Sequence, residues 1–121
     1  MEEVRIKLAA LWVAVMLTYL LGDVLRIYAG DYTAGQVGGV AMSQAMWLGV
    51  AVLMAVPIVM LVLSLVVPQA INRWVNVIAA IGLMAFNVVG LPTYSGLYDK
   101  FLIVLGVAFN ALTIWYAVRW R

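Results

Sequence analysis

Neither cysteine nor histidine occurs in this sequence, and only 10% of its 121 residues carry charge. Without those side chains, disulfide exchange, quinone-linked thiol chemistry, haem ligation and ordinary zinc chemistry have nothing to work with. No phosphate-cradling loop is present either: the glycines between Gly35 and Gly39 precede no Lys-Ser or Lys-Thr pair. The seven basic residues are scattered along the chain, so they form no nucleic-acid patch. Redox and nucleotide enzymes are excluded on these grounds, and no cofactor is expected.

What is present in quantity is apolar. Hydrophobic residues make up 68% of the chain and the mean hydropathy is +1.13, well beyond the composition of a soluble domain. The apolar residues fall into four blocks, about 8–29, 43–67, 74–94 and 98–118. Each has the roughly 20 residues that a helix needs to cross a hydrocarbon layer of about 30 Å. None alternates polar and apolar residues in strands of about ten, as a transmembrane β-barrel would. Helices satisfy their own backbone hydrogen bonds in lipid. The expected fold is therefore all-α, an integral membrane four-helix antiparallel bundle forming a single transmembrane domain over 1–121.

Turn formers separate the blocks: Gly30, Asp31, Gly35, Gly38 and Gly39, then Pro68, Gln69 and Asn72, then Ser95 and Gly96. Connections this short make consecutive helices antiparallel neighbours. Orientation follows from the basic residues, which are retained on the cytoplasmic side. Arg5, Lys7, Arg73, Arg119 and Arg121 fall on one side, against Lys100 and Arg26 on the other. Both termini are expected in the cytoplasm. Trp12, Trp74, Trp115 and Trp120 mark the inner boundary, and Trp47, Tyr28, Tyr32, Tyr94 and Tyr98 the outer one, as interfacial belts. The first block is read as a retained span and not a cleaved signal peptide, because Glu2 and Glu3 accompany Arg5 and Lys7 and its best cleavage-like stretch begins at Ile27, which is not small.

The informative residues are those that are costly to place in lipid. Tyr19, Asp23 and Arg26 share one face of the first helix, with Asp23 roughly 9 Å below its outer end at 1.5 Å per residue. A carboxylate at that depth needs a partner, and Arg26, three residues on, is the nearest. A stripe of Asn76, Ala80, Leu83, Asn87, Gly90 and Tyr94 runs along the third helix, and one of Asp99, Ile103, Gly106, Asn110, Thr113 and Ala117 along the fourth. Small residues let backbones approach and amides bond across the gap, so both stripes are expected to face neighbouring helices. In the second helix Pro57 removes the donor to the Leu53 carbonyl and is expected to kink the helix.

Together these stripes predict a polar cluster in the outer half of the bundle, made of Tyr19, Asp23, Arg26, Asn87, Tyr94 and, deeper, Asn110. The cluster reads first as an internal staple that fixes which helix faces which. Second, it reads as an outward-opening pocket or pathway for a small molecule, ion or lipid headgroup. A catalytic role for Asp23 lacks a second carboxylate or nucleophile beside it. Asn72, Arg73, Trp74 and Asn76 read as a helix start, and Arg119, Trp120 and Arg121 as a stop-transfer anchor. The tetrapeptide LGVA, shared by Leu48–Ala51 and Leu105–Ala108, is too common in such a chain to establish a repeat.

The opening KLAALWVAVMLTYLLGDVLRIY, the NRWVNV entry to the third helix and the closing IWYAVRW together resemble a family of short bacterial four-helix inner-membrane proteins of unknown function. The resemblance spans nearly the whole chain and implies a bacterial inner-membrane location, but supplies no substrate. Small multidrug exporters share the length and helix count, yet their pattern has a Glu in the middle of the first helix, where this chain has Asp23 off centre. The expected function is thus non-enzymatic: a binding or assembly protein whose partners are membrane lipids and either further copies of itself or a larger membrane protein. The alternative is an oligomeric small-molecule or ion transporter or channel using Asp23 in an outward-facing cavity.

Overall fold

A computed structural model describes residues 3–30, 34–37, 40–90 and 96–120. Four long helices carry the chain: α1 (Glu3–Tyr28), α2 (Gln44–Val66), α3 (Gln69–Gly90) and α4 (Leu97–Arg119). All four are long and apolar enough to cross a membrane. Between α1 and α2 the chain forms a small antiparallel ladder, β1 (Gln36–Val37) against β2 (Val40–Ala41), which the turn-former pattern did not anticipate. The expected turn residues Asp31, Gly38, Gly39 and Ser95, the belt residues Tyr32 and Tyr94, and Arg121 lie outside the described residues.

Helix boundaries follow local chemistry. α1 begins five residues before its apolar block, because Glu3 and Lys7 pair one turn apart at 2.9 Å and hold a polar first turn in helical form. It ends at Gly30, whose φ of 80° is left-handed backbone that favours glycine. The Ser43 hydroxyl caps α2 by accepting from the Met46 amide. Pro68 closes the short link to α3, its carbonyl taking the Asn72 amide at 2.9 Å. α3 therefore starts at Gln69, five residues earlier than the apolar pattern suggests. α2 runs as one helix from Gln44 to Val66 through Pro57, which is fully buried.

Cross-helix contacts give the topology. Arg5 of α1 reaches the Val67 carbonyl beyond α2, Trp12 and Tyr19 meet Asn76 and Asn87 of α3, and Arg26 meets Asp99 of α4. The helices therefore run up, down, up, down. α1 packs against α2 and α4, α4 also packs against α3, and the α2–α3 contact is the slightest of the four. Both termini and the α2–α3 link share one end of the bundle, the terminal end; the other connections lie at the far end.

Burial follows the spacing of threes and fours that brings one helical stripe inward. In α1 the buried set is Leu8, Ala9, Trp12, Val15, Thr18 and Gly22; in α4 it is Asp99, Gly106, Asn110, Thr113 and Ala117. The core at mid-bundle is Trp12, Val15, Met60, Ala80 and Leu83. The outward surface is apolar: Leu48, Val52 and Val66 of α2, Ile78 and Val89 of α3, and Phe101 and Val104 of α4 are all exposed. Water would penalise such a surface over this area, whereas hydrocarbon would not.

Two expectations about tryptophan are overturned. Trp12 and Trp120, read as belt or anchor residues, are almost fully buried, while Trp74 and Trp115 stay exposed. Trp12 turns inward because Asn76 offers its indole N–H an acceptor at 2.7 Å. Trp120 is held from above by the Arg5 guanidinium, 5.1 Å from the ring centroid.

Candidate functional site

At the far end the last turn of α1 and the first turn of α4 come together because the two helices are antiparallel. Arg26 stands in the first of these turns and Asp99 in the second. Each charge suits its position, since a cation is favoured at a helix C-terminus and an anion at an N-terminus, by about 0.3–1 kcal/mol each. One Asp99 oxygen accepts from Arg26 Nη2 at 2.9 Å and from Nε at 3.3 Å. Nη1 of the same guanidinium donates to Asp23 at 2.8 Å. Arg26 thus bridges two carboxylates of unlike surroundings: the Asp99 side chain is 6% exposed and that of Asp23 54%.

The Asp23–Arg26 pair expected within α1 is present, but the buried partner is Asp99. In the sequence Asp99 heads the inward stripe of α4, and that was the signal available for placing it in the cluster. The sequence reading put no second carboxylate near Asp23, whereas Asp99 shares its Arg26 partner.

Two turns deeper, Asn87 Nδ2 donates to the Tyr19 hydroxyl at 2.9 Å and joins α3 to α1. The Tyr19 ring lies over Gly106, where a methyl group would stand 3.6 Å from ring carbon Cε1. Between these two layers is a cavity of about 110 Å³ touched by all four helices. Its polar lining is Thr18, Tyr19, Asp23, Arg26, Asn87 and Asp99, and Leu53, Leu83 and Phe86 help to close it. Pockets for drug-sized ligands run to roughly 300–1,000 Å³. This one suits a few waters or a small solute.

Of the six residues predicted from sequence, the structure brings Tyr19, Asp23, Arg26 and Asn87 around this cavity. Tyr94 lies outside the described residues. Asn110 is fully buried one turn below Gly106 and does not line the cavity. Its side chain comes within reach of the Tyr19 hydroxyl.

A second polar network, at the terminal end, uses residues read in the sequence as a helix start, with Asn76 also heading the stripe of the third helix. Asn76 Oδ1 accepts from Trp12 Nε1 at 2.7 Å and from the Ser64 hydroxyl at 3.3 Å. Its amide donates to the Asn72 side chain and backbone oxygens. Asn72 Nδ2 donates in turn to the Ser64 and Val67 carbonyls at 2.9 and 3.2 Å, and the Val67 carbonyl also takes Arg5 Nη1 at 2.6 Å. Those carbonyls are in the last turn of α2 or just past it, where helical donors run out. Asn72 therefore caps α2 from α3, and Asn76 braces Asn72. The sequence signal was the four-residue spacing of two asparagines, which puts both on the inward face.

The chain belongs to the DUF6326 family, a family of unknown function whose model matches residues 1–121. No curated protein and no solved structure matches it.

Proposed function

We propose that the chain is a multi-pass protein of the bacterial inner membrane with both termini in the cytoplasm, acting without catalysis as a binding or assembly protein. The observation that carries this reading is that the charges of the far-end cluster are answered within the chain. Asp99, nearly sealed from solvent, holds Arg26, and Arg26 holds Asp23. The far-end cluster then serves as a staple that fixes helix rotation, and leaves an outward surface of valine, leucine and isoleucine for lipid or a membrane partner. α2 is the most apolar helix and the least buried, which makes it the contact face. The basic residues support the orientation: Arg5, Lys7, Arg73 and Arg119 all lie toward the terminal end.

The test is photo-crosslinking in native membranes from the outward positions Val52 and Val62 of α2. A discrete crosslinked species, either a multiple of the chain or a complex with a larger membrane protein, supports assembly. Crosslinks to lipid alone sink it. A second reading is favoured by the cavity beside Asp99 and Asp23: an oligomeric transporter or channel for an ion or small molecule. Under that reading, proteoliposomes show flux that Asp23→Asn abolishes while the fold is retained.

A further inference from the structure

Each described arginine but one is answered within the chain. Arg5 reaches the Val67 carbonyl and the Trp120 ring, Arg26 holds two carboxylates, and Arg119 stacks on Trp115. Arg73 has no hydrogen bond or ion pair among the described residues, and its Nε is covered without an acceptor. The chain holds five acidic residues. Glu3 is taken by Lys7, and Asp23 and Asp99 are taken by Arg26 at the far end; Glu2 and Asp31 lie outside the described residues. The Arg73 side chain is half-buried. A guanidinium so placed attracts an anion more strongly than one in open water, because the surrounding dielectric is lower.

The fold puts this cation at a seam. Arg73 stands one turn before Val77 on the same face of α3, and Val77 packs with Ala117 and Trp120 at the end of α4. Arg73 therefore sits at the terminal mouth of the α3–α4 seam. Only its Nε is both covered and unpartnered, so the Nη edge meets the surroundings, as in an arginine whose stem is packed and whose head reaches the membrane surface. Beside it Trp74 is exposed, and farther from the terminal end Ile78 and Ile81 are exposed too. A cation, an amphipathic ring and an apolar surface thus follow one another along α3 over about 12 Å.

We propose that Arg73 and Trp74 form a headgroup site for an anionic phospholipid at the terminal end of the α3–α4 seam. The phosphate accepts from the Arg73 Nη nitrogens, whose planar fork suits phosphate oxygens. Trp74 lies at the interfacial level just inside the phosphate, and an acyl chain runs along Ile78 and Ile81. Free phosphate would use the guanidinium alone and leave the ring and the apolar surface without a role. Arg5, Lys7 and Arg119 at the same end add a positive field that favours a net-negative headgroup over a zwitterionic one. The site rests on the membrane-spanning reading and is independent of assembly through α2.

The test is native mass spectrometry of the detergent-solubilised chain, titrated with phosphatidylglycerol, phosphatidylcholine or inorganic phosphate. Phosphatidylglycerol is expected to be retained in preference to the other two. Arg73→Gln should weaken its retention about fivefold, which is about what one basic side chain contributes near an anionic surface. Lys100→Gln, which removes the same charge at the far end, should leave it unchanged. Equal retention of the two lipids overturns the proposal, and so does a preference that survives Arg73→Gln or falls equally in Lys100→Gln. Inorganic phosphate that binds as tightly as the lipid overturns the lipid as occupant. Should Arg73→Gln fail to fold, hydrogen exchange of the native chain in nanodiscs decides. Extra protection at the start of α3 in phosphatidylglycerol over phosphatidylcholine supports the site, and identical exchange in the two overturns it. Release of the chain from membranes by alkaline carbonate would sink the membrane reading and the site together, whereas the lipid comparisons can sink the site alone.

Discussion

Asp99 and Arg26 are 73 residues apart and meet at 2.9 Å, joining the N-terminal turn of α4 to the C-terminal turn of α1. The pair is possible only because the helices are antiparallel and in this register. Both helix dipoles favour it, and Asp99 is nearly sealed from solvent. Asp23 lies on the exposed side of the same guanidinium.

The two carboxylates should therefore respond unequally to substitution. Asp99→Ala removes the sealed partner of the guanidinium, which keeps its exposed pairing with Asp23, and is expected to cost about 1.5–3 kcal/mol. Asp23→Asn removes an exposed ion pair and should cost less than about 1 kcal/mol. Unfolding followed by circular dichroism in detergent compares them. Equal losses would mean that the two carboxylates hold Arg26 alike and that the burial of Asp99 adds nothing.

Tyr19→Phe removes the acceptor for Asn87 Nδ2 and leaves the packing of the ring on Gly106 intact. Interhelical hydrogen bonds in membranes are worth about 0.6 kcal/mol on average and up to about 1.7. A destabilisation in that range is expected. Gly106→Leu should cost more, because its side chain needs the space the Tyr19 ring occupies. If the leucine variant proves as stable as the parent, the ring is not seated as described.

At the terminal end, Trp12→Phe keeps the apolar body but loses the donor to Asn76, whose oxygen retains the Ser64 hydroxyl. The expected loss is about 1 kcal/mol. Asn72→Leu should be worse, because it uncaps the Ser64 carbonyl and leaves the Val67 carbonyl with Arg5 alone. Amide hydrogen exchange at the α2–α3 link should speed up in Asn72→Leu and stay nearly unchanged in Trp12→Phe. The reverse order would move the cap elsewhere.

Orientation is testable apart from stability. With both termini cytoplasmic, a fluorescent protein fused after the last residue should glow and alkaline phosphatase fused there should stay inactive. Removing the positive charges at Arg5, Lys7 and Arg73 together should weaken that preference and yield mixed topology. Active phosphatase on the unaltered chain would invert the assignment.

How far the sequence reached depended on the kind of property involved. Four helices, their approximate lengths and the inward stripes of α3 and α4 were legible, because run length, hydropathy and the spacing of threes and fours are properties of the chain itself. Asp23 beside Arg26 and Asn76 near Asn72 were legible for the same reason, being one turn apart. The tertiary structure alone decided that Arg26 reaches across to Asp99, that Tyr19 receives Asn87, and that Trp12 and Trp120 turn inward while Trp74 and Trp115 do not. A tryptophan near a helix end fits a lipid interface and a bundle interior equally well, and a charge at a helix terminus can find its counter-charge on any neighbour. Those choices depend on how each helix is rotated about its axis and slid along it. The packing of all four stripes against one another sets both, and no single helix encodes them.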